Sequence, residues 1–210
     1  MKKFIEKLQF ITHDIDTLTH VQQAEIACGA GAKWIQYRCL TKGDTELLQD
    51  IQAIAEICDD WGATLIVTDH VHLHGQADIQ GFHMEDMTAD FRVLRAQLGE
   101  AVTLGGSSNT IEGLIRLYNE GADYAGFGPF AVTTTKPNNA PLLGLQGYAS
   151  GMKVLKEMNI DLPVLAVGGI RPDDVNDLMA TGIFGIAASA AINQAPDMGA
   201  AYRDFYDKLR

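Results

Sequence analysis

Short apolar runs alternate along the chain with longer stretches in which apolar positions recur every three to four residues. The runs are LQFIT (8–12), WIQYR (34–38), TLIVT (64–68), GFHM (81–84), VTLGGS (102–107), YAGFG (124–128), PVLAV (163–167) and GIAAS (185–189). Near-continuous apolar runs of this kind suit strands of a parallel sheet, buried on both faces. Between them, residues 45–61 put Leu47, Leu48, Ile51, Ile54, Ala55 and Cys58 on one stripe with charges opposite, which predicts a helix. Shorter helices are expected over 110–120 and 173–180, starting at Thr110 and at Pro172–Asp173. The stretch 70–80 (HVHLHGQADIQ) has the weakest helical pattern of the set.

The junctions repeat. CGAGAKWIQYR (28–38), WGATLIVTD (61–69), EGADYAGFG (120–128) and TGIFGIAAS (181–189) each carry a glycine between a helical pattern and an apolar run. Glycine there fits the left-handed position that ends a helix. The repeated unit is helix, tight turn, parallel strand. Eight strands alternating with helices in 210 residues predict a (β/α)8 TIM barrel, an open doubly wound sheet being the alternative with fewer strands. No compositional break divides the chain, so 1–210 reads as a single domain.

Composition narrows the function. A formal charge of −11 argues against nucleic acid, which calls for a basic footprint. There is no long apolar run to span a membrane, and MKKFIEKLQF has no apolar signal core, so a cytoplasmic protein is expected. Cys28, Cys39 and Cys58 lack CxxC spacing and read as reduced and structural, without a disulfide or zinc role. An anionic substrate would need clustered cations or a metal to offset the overall field. A homo-oligomer is compatible with everything in the sequence.

A barrel does its chemistry at the C-terminal ends of its strands. Strand 2 ends in Gln36-Tyr37-Arg38, where residues 36 and 38 share a face, and Arg suits phosphate; the plain alternative is a surface arginine. Asp69 follows strand 3 and Asp86 follows strand 4. Two such carboxylates suit Mg2+, although spacing alone favours helix N-caps. His72 and His74 diverge at i, i+2 in the expected helix and make a poor metal cluster together with His83. Strand 5 ends in Gly105-Gly106-Ser107-Ser108-Asn109-Thr110, strand 7 in Gly168-Gly169-Ile170 and strand 8 in Ala187-Ala188-Ser189. The last two loops are where barrels commonly hold phosphate, although paired glycines also serve tight turns. After strand 6 comes GPFAVTTTKPNNAPLLG (128–144), which has neither helical nor strand period; a loop so long in a compact chain is functional or disordered.

GPF…TTTK after strand 6, VGGI after strand 7, ASA after strand 8, QYR on strand 2 and the Asp69/Asp86 pair together resemble the thiamine-phosphate synthase family over nearly the whole chain. The resemblance implies a transferase joining hydroxymethylpyrimidine diphosphate to a thiazole phosphate. Diphosphate leaves first, a pyrimidine-stabilised cation forms, and the thiazole nitrogen captures it. It implies two small-molecule substrates, and Mg2+ held by Asp69 and Asp86. Gln36 would face the pyrimidine and Arg38 its diphosphate, with Ser107 near the reacting centre and Thr68 beside the substrate. Thr133 and Thr135 would grip the thiazole phosphate together with Gly168, Ser189 and the backbone at Ala188. Lys136 would meet the diphosphate. The long loop would be a lid carrying phosphate ligands.

Four positions depart from the family pattern. Leu40 stands where a lysine is expected, with Lys42 two residues on. Thr68 replaces an asparagine, HMED is shortened so that Glu85 competes with Asp86, and Asn109 replaces a histidine. A related tautomerase would want an acid/base group at Asn109. A non-catalytic phosphate binder would have no use for both Asp69 and Lys136.

Overall fold

The computed structural model describes residues 3–133 and 140–210. Among them, parallel strands pair in chain order and close into a barrel: β1 (Leu8–Ile11), β2 (Trp34–Tyr37), β3 (Thr64–Thr68), β4 (Gly81–Met84), β5 (Thr103–Ser108), β6 (Tyr124–Phe127), β7 (Val164–Val167) and β8 (Gly185–Ala188). Leu8 opposite Ile186 and Phe10 opposite Ala188 make the closing pair. The helices around it are α1 (His20–Gly29), α2 (Asp44–Trp61), α3 (Phe91–Leu98), α4 (Ile111–Asn119), α5 (Gly144–Glu157), α6 (Val175–Ala180), α7 (Ala190–Asn193) and α8 (Met198–Lys208). The chain is a (β/α)8 barrel, as the periodicity predicts. None of its described helices is long and apolar enough to cross a membrane.

The junction glycines behave as their pattern requires: Gly31, Gly62, Gly121 and Gly182 all have positive φ. Thr110 caps α4 by accepting the Gly113 N–H. The expected helix over 70–80 is not there. Only a 3-10 turn at Val71–Leu73 forms, and Gly75 at φ 80° turns the chain out of helical geometry. The segment after β7 likewise starts as a 3-10 turn, Pro172–Asp174, before α6.

Strand alternation divides the apolar residues into two cores. Ile35, Leu65, Phe82, Leu104, Ala125 and Ala166 point outward against the helices. Trp34, Ile66, Tyr124, Leu165 and Ala187 fill the barrel interior. Trp34 and Tyr124 meet edge to face at 4.8 Å. The Tyr124 ring occupies the space a side chain at Gly105 would need, since a Cβ there would lie 2.1 Å from it. Continuing the same parity upward, Gln36, His83, Ser107, Gly126 and Val167 end their strands at the barrel mouth. That is how alternation builds a site.

Candidate active site

A cavity of about 960 Å³ opens at the C-terminal ends of the strands. Gln36, Arg38, Ser107, Thr133, Gly168, Ala188 and Ser189 all line it, as does Asn109. Thr135 and Lys136 lie outside the described residues. Three other expected positions are placed elsewhere. Thr68 shares the inward parity of Ile66 but is no part of the cavity lining; it is buried, with its Oγ1 accepting a hydrogen bond from Gln36 Nε2 at 2.8 Å. Asp69, at φ 57°, accepts the Glu85 N–H at Oδ1, 2.8 Å away. Asp86 is exposed, and its Oδ1 accepts from both the N–H and the hydroxyl of Thr88 at 2.8 and 2.7 Å. Those bonds hold its carboxyl below the usual range.

Gln36 is oriented by Thr68. With its amide N–H committed there, Gln36 Oε1 is left buried with no partner among the described residues. A buried acceptor of this kind calls for a donor from a ligand.

Arg38 extends from the end of β2, where its N–H bonds Thr12 Oγ1 at 3.1 Å instead of continuing the ladder. Its guanidinium grips Glu85 side-on, Nε to Oε1 at 2.7 Å and Nη2 to Oε2 at 3.3 Å. Both side chains are mostly buried, and both line the cavity. The sequence raised Glu85 only as a rival metal ligand; the pairing spans two loops, and no local pattern announces it.

A second group at the cavity floor was not anticipated. Gln9 Nε2 donates to Tyr124 Oη at 3.1 Å, Tyr124 Oη lies 3.1 Å from His83 Nδ1, and His83 Nε2 lies 3.0 Å from Ser107 Oγ. Burial raises the Tyr124 phenol, so it stays protonated. It accepts from Gln9, and its own hydrogen can go to Nδ1 when the histidine proton sits on Nε2. In the tautomer with the proton on Nε2, His83 donates to Ser107, and the serine hydroxyl hydrogen is then available to a ligand. Strand parity was the available signal, since His83, Tyr124 and Ser107 all face inward.

The paired glycines have a local duty as well. Gly168 and Gly169 have φ of 91° and 68°, and a Cβ on Gly169 would lie 2.6 Å from the Val132 carbonyl oxygen. Phe130 N–H bonds Val167 O and Ala131 N–H bonds Gly168 O, so the loop after β7 clamps the first residues of the loop after β6. Leu143 N–H returns to Pro129 O at 2.9 Å, pinning the far end of that loop beside its start.

Two residues from the departures fall away from the cavity. β2 stops at Tyr37, so Leu40 does not continue its face; it is 65% exposed and no part of the cavity wall. Lys42 is committed to Asp50 at 2.6 Å, an oxygen that Tyr37 also bonds at 3.0 Å.

A (β/α)8 barrel with an arginine, a serine and a positive-φ glycine pair around a polar-floored cavity at the strand ends has the arrangement in which barrel enzymes place their chemistry. The sequence profile for thiamine monophosphate synthase matches residues 8–192. Thiamine-phosphate synthase of Bacteroides thetaiotaomicron is 39% identical over 203 residues, 97% of either chain. That of Phocaeicola vulgatus is 40% identical, over 91% of this chain and 92% of its own. A solved structure, thiamine phosphate pyrophosphorylase from Pyrococcus furiosus, superposes with a TM-score of 0.85 at 25% identity, covering 97% of this chain and 95% of that one. The chain belongs to the thiamine monophosphate synthase family.

Proposed function

We propose that the protein joins hydroxymethylpyrimidine diphosphate to a thiazole phosphate, forming thiamine phosphate and releasing diphosphate. The buried Gln36 Oε1, without a partner among the described residues and in the same cavity wall as Arg38, carries this reading. It sets an acceptor for an N–H of a heterocycle next to a cation for that heterocycle's diphosphate. The C–O bond to diphosphate breaks with its electron pair leaving on oxygen, and the thiazole nitrogen supplies the pair for the new C–N bond. No general base is required. The protein's task is to hold both partners in line and to meet the charge that develops on the leaving group.

In this reading Arg38 and Lys136 meet the diphosphate. Ser107, its hydroxyl hydrogen directed by His83, donates to an oxygen near the reacting carbon. Gly168, Ala188 and Ser189 hold the thiazole phosphate, with Thr133 and Thr135 from the loop after β6.

The donor set fits Mg2+. Asp69, Glu85 and Asp86 are hard oxygen ligands on two adjacent strand ends, tied by the Glu85 N–H to Asp69 bond. Asp69 and Asp86 would hold the ion, because both Glu85 oxygens are engaged by Arg38, while Thr88 fixes the Asp86 carboxylate as an outer partner would. Bound there, Mg2+ would neutralise diphosphate charge. Diphosphate release from the two substrates should require Mg2+, stop on chelation, and be lost in Asp69→Ala with the fold intact. Release undiminished by chelation or by Asp69→Ala would overturn the metal assignment.

A further inference from the structure

Behind Arg38, three segments converge on one carboxylate oxygen. Asp14 lies in the loop after β1, His20 opens α1, and Cys39 follows Arg38 in the loop after β2. Asp14 Oδ1 is 3.2 Å from His20 Nε2 and 3.3 Å from Cys39 Sγ, and accepts the Thr41 hydroxyl at 2.7 Å. Its Oδ2 accepts the Leu40 N–H at 2.9 Å. The imidazole nitrogen, the thiol sulfur and the carboxylate oxygen lie within 4.8 Å of one another. His20 and Cys39 are buried, and Asp14 is half-buried.

We propose that Asp14, His20 and Cys39 form a site for a thiophilic divalent cation of the Zn2+ type, with water as the fourth ligand. The geometry is close to what such an ion requires. Ligands at about 2.0–2.3 Å from a tetrahedral ion lie about 3.3–3.8 Å apart, and two of the edges are 3.2 and 3.3 Å as they stand. The outer partners are also in place. His20 Nδ1 lies 2.8 Å from Thr12 Oγ1, and the ring packs edge-on against Tyr37 at 5.0 Å. With metal on Nε2, the imidazole keeps its one proton on Nδ1 and donates to Thr12, the arrangement that orients a ligating histidine.

The balance is simple. Cys39 loses its S–H proton to solvent, His20 shifts its proton between its two nitrogens, and Asp14 binds as the carboxylate. One proton is released per ion, and thiolate plus carboxylate neutralise the 2+ charge. Thiolate and imidazole are poor ligands for Mg2+, so this site is chemically distinct from the carboxylates at the cavity. It is also physically coupled to that cavity. Thr12 Oγ1 holds the Arg38 N–H as well as His20, so an ion here braces the backbone that carries Arg38. The ligands come from positions 14, 20 and 39, and for that reason their spacing resembles no zinc motif.

Titration of the metal-free full-length protein with Co2+, in the presence of Mg2+, tests the site without reference to activity. One equivalent should produce thiolate-to-cobalt charge-transfer absorption in the near ultraviolet and visible bands of four-coordinate intensity, all abolished by one equivalent of Zn2+. Cys39→Ser should lose the charge-transfer band. His20→Gln should keep it with at least tenfold weaker binding, and Thr12→Val should weaken binding by about 10–100-fold, as for loss of an outer-shell partner. The absence of any thiolate band in the unaltered protein would overturn the proposal. So would a band surviving in Cys39→Ser, which would place the metal at Cys28 or Cys58.

Discussion

Replacing Glu85 by Gln should make the free protein less stable and its grip on the pyrimidine diphosphate tighter. Glu85 receives Nε and Nη2 of Arg38 at 2.7 and 3.3 Å in a pair whose side chains are 17% and 8% exposed. Gln keeps the volume and one acceptor. It removes the charge and turns the second acceptor into an N–H2 that faces the Nη2 donors. Losing one charge-assisted hydrogen bond costs about 1.5–3 kcal/mol. At about 2–4 °C per kcal/mol for a chain of this size, Tm should fall by about 3–12 °C. In the substrate complex the sign reverses, because diphosphate has to compete with Glu85 for Arg38. Removing the competitor should lower KM for the pyrimidine diphosphate by about tenfold, the equivalent of about 1.4 kcal/mol. Thermal unfolding with and without Mg2+ and inorganic diphosphate, alongside steady-state KM, reads both effects. The Tm gap between the variant and the unaltered protein should narrow as diphosphate is added. A raised KM would refute the reasoning and show that Glu85 positions Arg38 for substrate.

Leu40→Lys restores the family lysine, but on an exposed residue off the cavity wall; kcat/KM should stay within about twofold, and a tenfold gain would show that the β2 loop reaches the diphosphate. Lys136→Ala should act mainly on kcat, since the charge it meets grows as diphosphate departs, whereas Ser189→Ala should act mainly on thiazole phosphate affinity; identical kinetic signatures would dissolve that division of roles. Gly169→Ala forces a Cβ to 2.6 Å from the Val132 carbonyl oxygen at φ 68°. A loss of about 2 kcal/mol or more is expected from the left-handed strain and the clash together, and an unchanged melting curve would show that the loop after β6 yields freely.

The barrel was legible because it rests on local rules. Each strand is an apolar run, five of the described helices (α1, α2, α3, α4 and α6) end at a positive-φ glycine, and the order of the two dictates a parallel closed sheet. The segment 70–80 carries the weakest helical pattern, and in the structure it forms only a 3-10 turn before Gly75 at positive φ. α1 gave little signal, because it buries His20 and Gln23 beside alanines rather than an apolar stripe. At the cavity, strand parity put Gln36 and Arg38 on one face, and both line the cavity. That parity does not extend to Leu40, because β2 ends at Tyr37 and the Arg38 N–H turns to Thr12. The Arg38–Glu85 pair and the Gln9–Tyr124–His83–Ser107 chain join residues from different strands, and they become visible only once the register is known.

The most direct measurement follows the new carbon–nitrogen bond itself. The purified protein, given hydroxymethylpyrimidine diphosphate, thiazole phosphate and Mg2+, should produce thiamine phosphate and diphosphate in equal amounts by chromatography, with neither product when the thiazole phosphate or the protein is left out. Binding of both ligands without any thiamine phosphate would contradict the account and leave a barrel that holds these molecules without joining them.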